Sequence, residues 1–340
     1  MERIRLTENA WLIVKENVLA VFCDNALKTV SSAYFNGGNK QVKTLLNVGV
    51  PKGYSDLSLH LDPLELITSS AAKVGAKDYL AMVTAAKVEN YSLVTKKSPD
   101  YSVNVIATAG CSHGESSGEE MDVQEIVGTI NIIVLIDGNP TDSCMVAALI
   151  TATEAKSAVL RDFDVRSLYT GDSATGSITD AVTVASTGKG KSIALAGPAS
   201  KLGRLVGYCA RRAVTEALLK QEPVWACRSV LDRLKERHLP LEKLAAEVSK
   251  IKGLAVTVEE LTKILKKNPS ALASLLAAAK MDDDYKKNLL PTDFQNWNQI
   301  MISEDFQKLP GYEAAGLPPF IKAVLIRIIK NATAQYWSGL

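Results

Sequence analysis

The sequence predicts an α+β fold: a mostly antiparallel sheet with packed helices, followed by a small all-α domain. Three observations carry that prediction. Strand patterns in the first two thirds come mainly as hairpins, which build antiparallel sheets, and strand–helix–strand units are the minority. Long helix patterns lie between groups of strands. After Gln221-Glu222-Pro223 the periodicity is almost entirely helical. That tripeptide divides residues 1–222 from residues 223–340.

Taken in order, residues 11–14 and 18–22 are apolar runs flanking Lys15-Glu16-Asn17, a hairpin pattern. Residues 31–38 form a polar, glycine-bearing loop. Residues 63–75 follow a helix pattern, with Asp62 as cap and Gly75 as stop. Residues 79–86, 91–95 and 102–109 are expected as consecutive strands joined by short turns. Residues 109–118, AGCSHGESSG, make a second glycine/serine loop. Residues 129–136 are β-branched and aliphatic, a buried-strand signal closed by Asp137-Gly138. A helix is expected over residues 142–161, capped by Thr141 or Asp142 behind Pro140. Residues 178–185 and 192–196 flank Gly188-Lys189-Gly190 and are expected as a hairpin. A helix over 200–219 closes the first part. Helices are then expected over 224–238, 241–252, 258–267, 271–280 and 319–332, an accessory or homo-oligomerisation module.

Composition narrows the classes. The chain has 340 residues, net charge +2, 47% hydrophobic and 22% charged residues, which is ordinary for a globular protein of one or two domains. The charge is too small, and too evenly spread, to predict a nucleic-acid or membrane partner. No continuous apolar run approaches membrane-spanning length, and the N-terminus lacks an apolar secretory core. Five scattered cysteines without CxxC spacing predict reduced thiols, a cytoplasmic setting and no zinc site. STGKGKS at residues 186–192 imitates a phosphate loop, but Ala185 stands where glycine is required and strand-like residues follow. Asp282-Asp283-Asp284 is expected as a solvated cap.

The most informative stretch is residues 128–185. Glu154 and Lys156 lie two apart in its helix, hence roughly 200° apart around the axis. Lys156 falls with Met145, Leu149, Ala152 and Val159; Glu154 falls with Ala147, Ile150 and Ala158. Both stripes are apolar, so at least one charge must enter packed structure and find a partner.

GTINIIVLID, ATEAKSAVL and ATGSITDAVTVA in this stretch resemble the adenosylcobinamide amidohydrolases of corrinoid salvage. SSAYFNGGNKQVKTLLNVGVP at 31–51, MVTAAKV at 82–88 and AGPASKLGRLVGYCARRAVTEAL at 196–218 fit the same family in the same order. The resemblance covers roughly residues 1–222. It implies hydrolysis of the aminopropanol amide of adenosylcobinamide, with the corrinoid and its cobalt as substrate and no bound cofactor. The rival reading is a corrinoid-binding or regulatory protein without hydrolysis.

Amide hydrolysis needs an activated water or nucleophile, an oxyanion stabiliser and an acid for the leaving amine. Matched to the motif positions, Glu154 is the candidate base, Lys156 or a Thr/Asn group the electrophilic helper, Asp180 an orienting carboxylate, and Thr175 a further catalytic candidate. Substrate contacts are expected from Asn36, Gly37, Gly38, Thr84, Gly110, Ser112, His113, Thr129, Asn131, Gly176 and Thr179. The loop glycines are expected to let backbone approach a large ligand. Where His113 stands the family commonly has Asn, which weighs against a catalytic duty for it. Gly128-Thr129 also fits chain cleavage before an N-terminal nucleophile, although a threonine simply opening a strand is the plainer reading.

Overall fold

The structure is a computed structural model that describes residues 3–51, 62–112, 114–120, 128–291 and 304–338. It divides into two compact units. The first holds residues up to Tyr169 and Ser173–Cys227; the second holds Thr170–Asp172 and residues from Arg228.

Among the described residues, nine strands of the first unit form one sheet. They are β1 (Ile4–Arg5), β2 (Ala10–Lys15), β3 (Val18–Ser31), β4 (Gly38–Gly49), β5 (Tyr79–Thr84), β6 (Ser92–Lys97), β7 (Ser102–Gly110), β9 (Thr129–Asp137) and β12 (Ala181–Ser186). The order β1-β2-β3-β12-β9-β7-β6 is extended by β4, which pairs with β3 on one side and β5 on the other. Antiparallel pairs predominate; β12–β9 and β4–β5 are parallel. Short pairs β8 (Gly114–Glu115) with β11 (Gly176–Ser177), and β10 (Asn139–Pro140) with β13 (Ser192–Ile193), complete the strands.

The expected α+β class holds, and the local signals explain much of it. Glu16 and Asn17 both take positive φ (49° and 61°), the conformation a two-residue hairpin turn requires between β2 and β3. Helix α1 (Leu64–Val74) ends at Gly75 with φ 76°, and Asp62 accepts the Leu64 N–H at 3.2 Å. Helix α2 (Asp142–Asp162) is capped by Thr141, which accepts the Cys144 N–H at 3.3 Å. Helix α3 (Lys201–Gln221) is capped by Ser200.

β9 explains why its sequence is almost uninterrupted apolar. Ile130, Ile132, Val134 and Ile136 face α2 and α3, while Ile133 and Leu135 face the hollow of the sheet with Leu12, Leu45 and Met82. A strand covered on both faces has no solvent side to alternate with. Helix α2 has the length and average apolar composition of a membrane-spanning helix, although Glu154, Lys156 and several hydroxyl residues interrupt its apolar run. Half of that stretch is buried within the fold, where Cys144, Met145, Ala148, Ala152 and Val159 pack in the core.

Three connections differ from expectation. β3 runs on to Ser31 through a bulge between Phe22 and Leu27, because Asp24-Asn25 marks an exposed irregularity and no chain reversal. β5 is no neighbour of β6: it crosses to pair with β4, a strand that the sequence reading did not assign. Residues 178–196 are not a hairpin. Both edges of β12 are occupied, by β3 and β9, so β13 pairs with β10 instead.

The second unit contains α4 (Val230–Lys235), α5 (Leu241–Val248), α6 (Val258–Lys266), α7 (Pro269–Lys286), α8 (Glu304–Gln307) and α9 (Pro319–Ser338) around Leu244, Leu261, Leu275 and Phe320. The expected helix over 224–238 is broken. A 3-10 turn (Pro223–Ala226) precedes a Ser229/Asp232 capping box that starts α4 afresh. Asp282 is no solvated cap. It is 8% exposed and accepts the Phe320 and Ile321 N–H groups, each at 2.9 Å, at the start of α9.

Candidate functional site

The polar residues of the central stretch meet where β9 begins, β12 begins and α2 passes over. Lys156 projects from the packed face of α2 and ion-pairs with Asp180, their side chains 8% and 11% exposed. Asp180 Oδ1 accepts the Ile130 N–H at 2.9 Å and Oδ2 the Ser177 N–H at 3.1 Å. The Ser177 hydroxyl donates to Oδ1, and the Lys156 ammonium to Oδ2. Four donors occupy the roughly four acceptor positions of a carboxylate, so Asp180 is an anchor for strand, turn and helix.

Gly176 makes that anchor possible. A Cβ there would stand 2.7 Å from Asp180 Oδ2 and 2.9 Å from Lys156 Nζ. This glycine accommodates the ion pair. Thr175 turns the other way: its hydroxyl accepts the Ser117 N–H at 3.0 Å and bonds the Ser117 hydroxyl at 2.9 Å.

Beside the pair lies a cavity of about 210 Å³, lined by Ser32, Tyr34, Val50, Pro63, Met82, Val83, Ala85, Thr129, Thr179, Asp180 and Ala181. Thr129 and Thr179 join hydroxyl to hydroxyl at 2.9 Å. Thr129 Oγ1 also lies 3.4 Å from the Ala85 N–H, and Thr179 Oγ1 lies 3.4 Å from the Gly128 carbonyl oxygen. The arrangement offers the hydroxyl oxygens of Thr129 and Thr179 to a polar ligand, beside a carboxylate already held by its own donors.

Beneath the cavity runs a buried polar chain that sequence reading only half found. Asn131 Nδ2 donates to Asn47 Oδ1 and to the Val83 carbonyl, both at 2.8 Å, while its Oδ1 accepts the Ala181 N–H at 3.1 Å. Asn47 donates to Thr108 at 2.8 Å, Thr108 to Thr84 at 3.5 Å, and Thr84 accepts the Ala86 N–H at 3.1 Å. Asn131 and Thr84, expected to touch substrate, are 1% and 0% exposed and do not line the cavity. A polar residue in an apolar strand announces that it needs partners, and here the partners are neighbouring strands. Asn47, inside the aliphatic run LLNVG, carries the same signal.

The loop glycines also have internal duties. A Cβ on Gly37 would lie 2.2 Å from the Ala33 carbonyl oxygen, and Gly38 takes φ 80°. Asn36, at φ 56°, donates to the Tyr79 carbonyl at 2.9 Å. None of these three lines the cavity; Ser32 and Tyr34 of the same loop do. Gly110 backs onto Glu222, whose Oε1 accepts the Cys111 N–H at 3.1 Å and the Ser112 hydroxyl at 2.9 Å. Gln221 likewise accepts the Lys87 N–H and the Asn90 amide. The end of α3 thus pins two loops, a role unseen in sequence because these residues looked like a linker. His113 lies outside the described residues.

Glu154 is exposed, which corrects the expectation of a packed face around it. Ala147 and Ala158 counted as apolar in the periodicity, but alanine tolerates either environment, and Ile150 of the same stripe is 51% exposed. The buried face of α2 is the one that carries Lys156.

A family described as adenosylcobinamide amidohydrolase matches residues 3–225. An adenosylcobinamide amidohydrolase of Methanosarcina mazei is 30% identical over 213 residues, 61% of this chain and 92% of the relative. An uncharacterized protein of Methanocaldococcus jannaschii is 26% identical over 233 residues, 63% of this chain and 90% of the relative. Among solved structures, a Pyrococcus horikoshii protein aligns at TM-score 0.35 and 11% identity, over 62% of this chain and 83% of its own. The L-aminopeptidase D-Ala-esterase/amidase of Ochrobactrum anthropi aligns at TM-score 0.31 and 8% identity, over 63% and 84%.

Proposed function

Because the chain belongs to the adenosylcobinamide amidohydrolase family, we propose that it cleaves the amide joining aminopropanol to the corrinoid of adenosylcobinamide. The products are adenosylcobyric acid and the free amino alcohol, and the corrinoid cobalt enters and leaves with the substrate. The observation that carries this reading is that the matched span, residues 3–225, contains every residue of the cavity at Thr129, Thr179 and Asp180.

An amide carbonyl seated there would meet the paired Thr129 and Thr179 hydroxyls, close to the Ala85 N–H that donates to Thr129. The Lys156–Asp180 pair holds the start of β9 in place against the turn at residues 176–177. Glu154, exposed on α2, takes no part in this arrangement. A cavity of about 210 Å³ admits the amide arm of a corrinoid and leaves the macrocycle at its mouth.

The test is incubation of the purified chain with adenosylcobinamide, with release of aminopropanol measured beside a corrinoid-binding titration. Binding without amine release would instead favour a corrinoid-binding or regulatory protein.

A further inference from the structure

We infer that the chain cuts itself between Gly128 and Thr129, and that Thr129 then acts as an N-terminal nucleophile in the cavity. This deepens the amidohydrolase reading of the same site.

The geometry is specific to this peptide bond. Thr179 Oγ1 is shared between the two reacting groups: it is 2.9 Å from Thr129 Oγ1 and 3.4 Å from the carbonyl oxygen of Gly128. One hydroxyl therefore touches the nucleophile and polarises the carbonyl it would attack. Gly128 has φ 123°, a conformation that residues bearing a Cβ rarely adopt. Thr129 is 2% exposed and is the first residue of β9, so its side chain is held at the end of a paired strand.

The chemistry balances with water as the only co-reactant. The Thr129 hydroxyl oxygen attacks the Gly128 carbonyl carbon. The C–N bond breaks, the hydroxyl proton passes to the nitrogen, and an ester with a free α-amine results. Water then cleaves the ester. Its oxygen stays on the Gly128 carboxyl group, one proton restores the Thr129 hydroxyl, and the other, released as the carboxyl ionises, charges the amine.

The cut supplies what the described cavity otherwise lacks. Its titratable side chains are Tyr34 and Asp180, and the Asp180 oxygens are already taken by four donors. A free α-amine on Thr129 is a base on the same residue as the nucleophile. In turnover, Thr129 Oγ attacks the substrate carbonyl while the amine takes the hydroxyl proton and passes it to the departing amine. Water then releases the acyl group from Oγ. Cutting need not separate the pieces, because β9 stays paired with β7 from Gly110↔Thr129 onward and with β12 from Asn131↔Ala181.

The cut itself is tested without corrinoid. The full chain is purified, then analysed by denaturing mass spectrometry and N-terminal sequencing. Two chains are expected, the second beginning Thr-Ile-Asn-Ile, co-eluting under native conditions. Thr129→Ala should remain one chain, and Thr129→Ser should still be cut. A folded wild-type chain that stays whole on prolonged incubation overturns the inference, as does cutting at another bond or unchanged cutting in Thr129→Ala. Aminopropanol release by an uncut chain would sink the inference and spare the amidohydrolase reading; a cut chain that releases none would do the reverse.

Discussion

Lys156 and Asp180, 24 positions apart, form an ion pair that ties the middle of α2 to the turn before β12. Removing one partner of such a buried pair strands the other in a medium that solvates charge poorly. Lys156→Met is expected to cost about 3–5 kcal/mol in urea unfolding of the first unit. Substituting both partners should cost less than the two single losses added together. Strict additivity would mean that the charges do not interact.

Gly176→Ala places a methyl group against both members of that pair. The pair cannot hold its geometry, and a loss of about 1–3 kcal/mol is expected, as for other overpacked sites. An unaltered melting temperature would show that the turn has room the structure denies. Gly37→Ala should also destabilise, through the Ala33 carbonyl rather than through any ligand.

Glu154→Gln alters an exposed side chain away from the cavity. Stability should change by less than about 0.5 kcal/mol, and amide turnover per folded molecule should be unchanged. A large fall in turnover at constant stability would return Glu154 to the role of base that its motif position suggests.

The first unit continues through Cys227, beyond Pro223. Trp225 packs against its core and donates its indole N–H to Glu222, the residue that holds Cys111 and Ser112. A fragment of residues 1–227 should therefore be more stable than one of residues 1–222. Equal urea midpoints for the two would remove Trp225 from the structural account.

Asp282 sets a pH dependence in the second unit. Burial pushes its carboxyl up to about 7, against the pull of the Phe320 and Ile321 N–H groups and with help from the neighbouring Asp283 charge. Between the ordinary aspartate value, about 4, and this raised value the folded state binds more protons than the unfolded one. Stability of the second unit should therefore fall as pH rises across that window. Hydrogen exchange of α9 measured at pH 5 and pH 7.5 should show faster opening at the higher pH. Asp282→Asn should flatten the difference; an undiminished pH effect in that variant would assign it elsewhere.

Local chemistry was legible wherever one short segment decides the outcome. Glu16-Asn17 made a hairpin, Gly75 stopped a helix, Thr141 and Ser200 capped helices, and the aliphatic run at 129–137 became a strand covered on both faces. The family motifs and the antiparallel character of the sheet were legible for the same reason, since many short signals agree. Strand partners were not, because pairing depends on which edges remain open. β12 has both edges filled, and that fact sends β13 to β10.

By itself, then, the sequence determined many of the elements, the α+β class and the requirement that a charge on α2 be buried with a partner. Only the tertiary structure decided which charge and which partner. It chose Lys156 over Glu154 because one face of α2 meets the sheet and alanine does not report which. It also separated Thr129, at the start of β9, from Asn131 two residues along the same face, because the neighbouring strands take both amide donors of Asn131 and bond its oxygen.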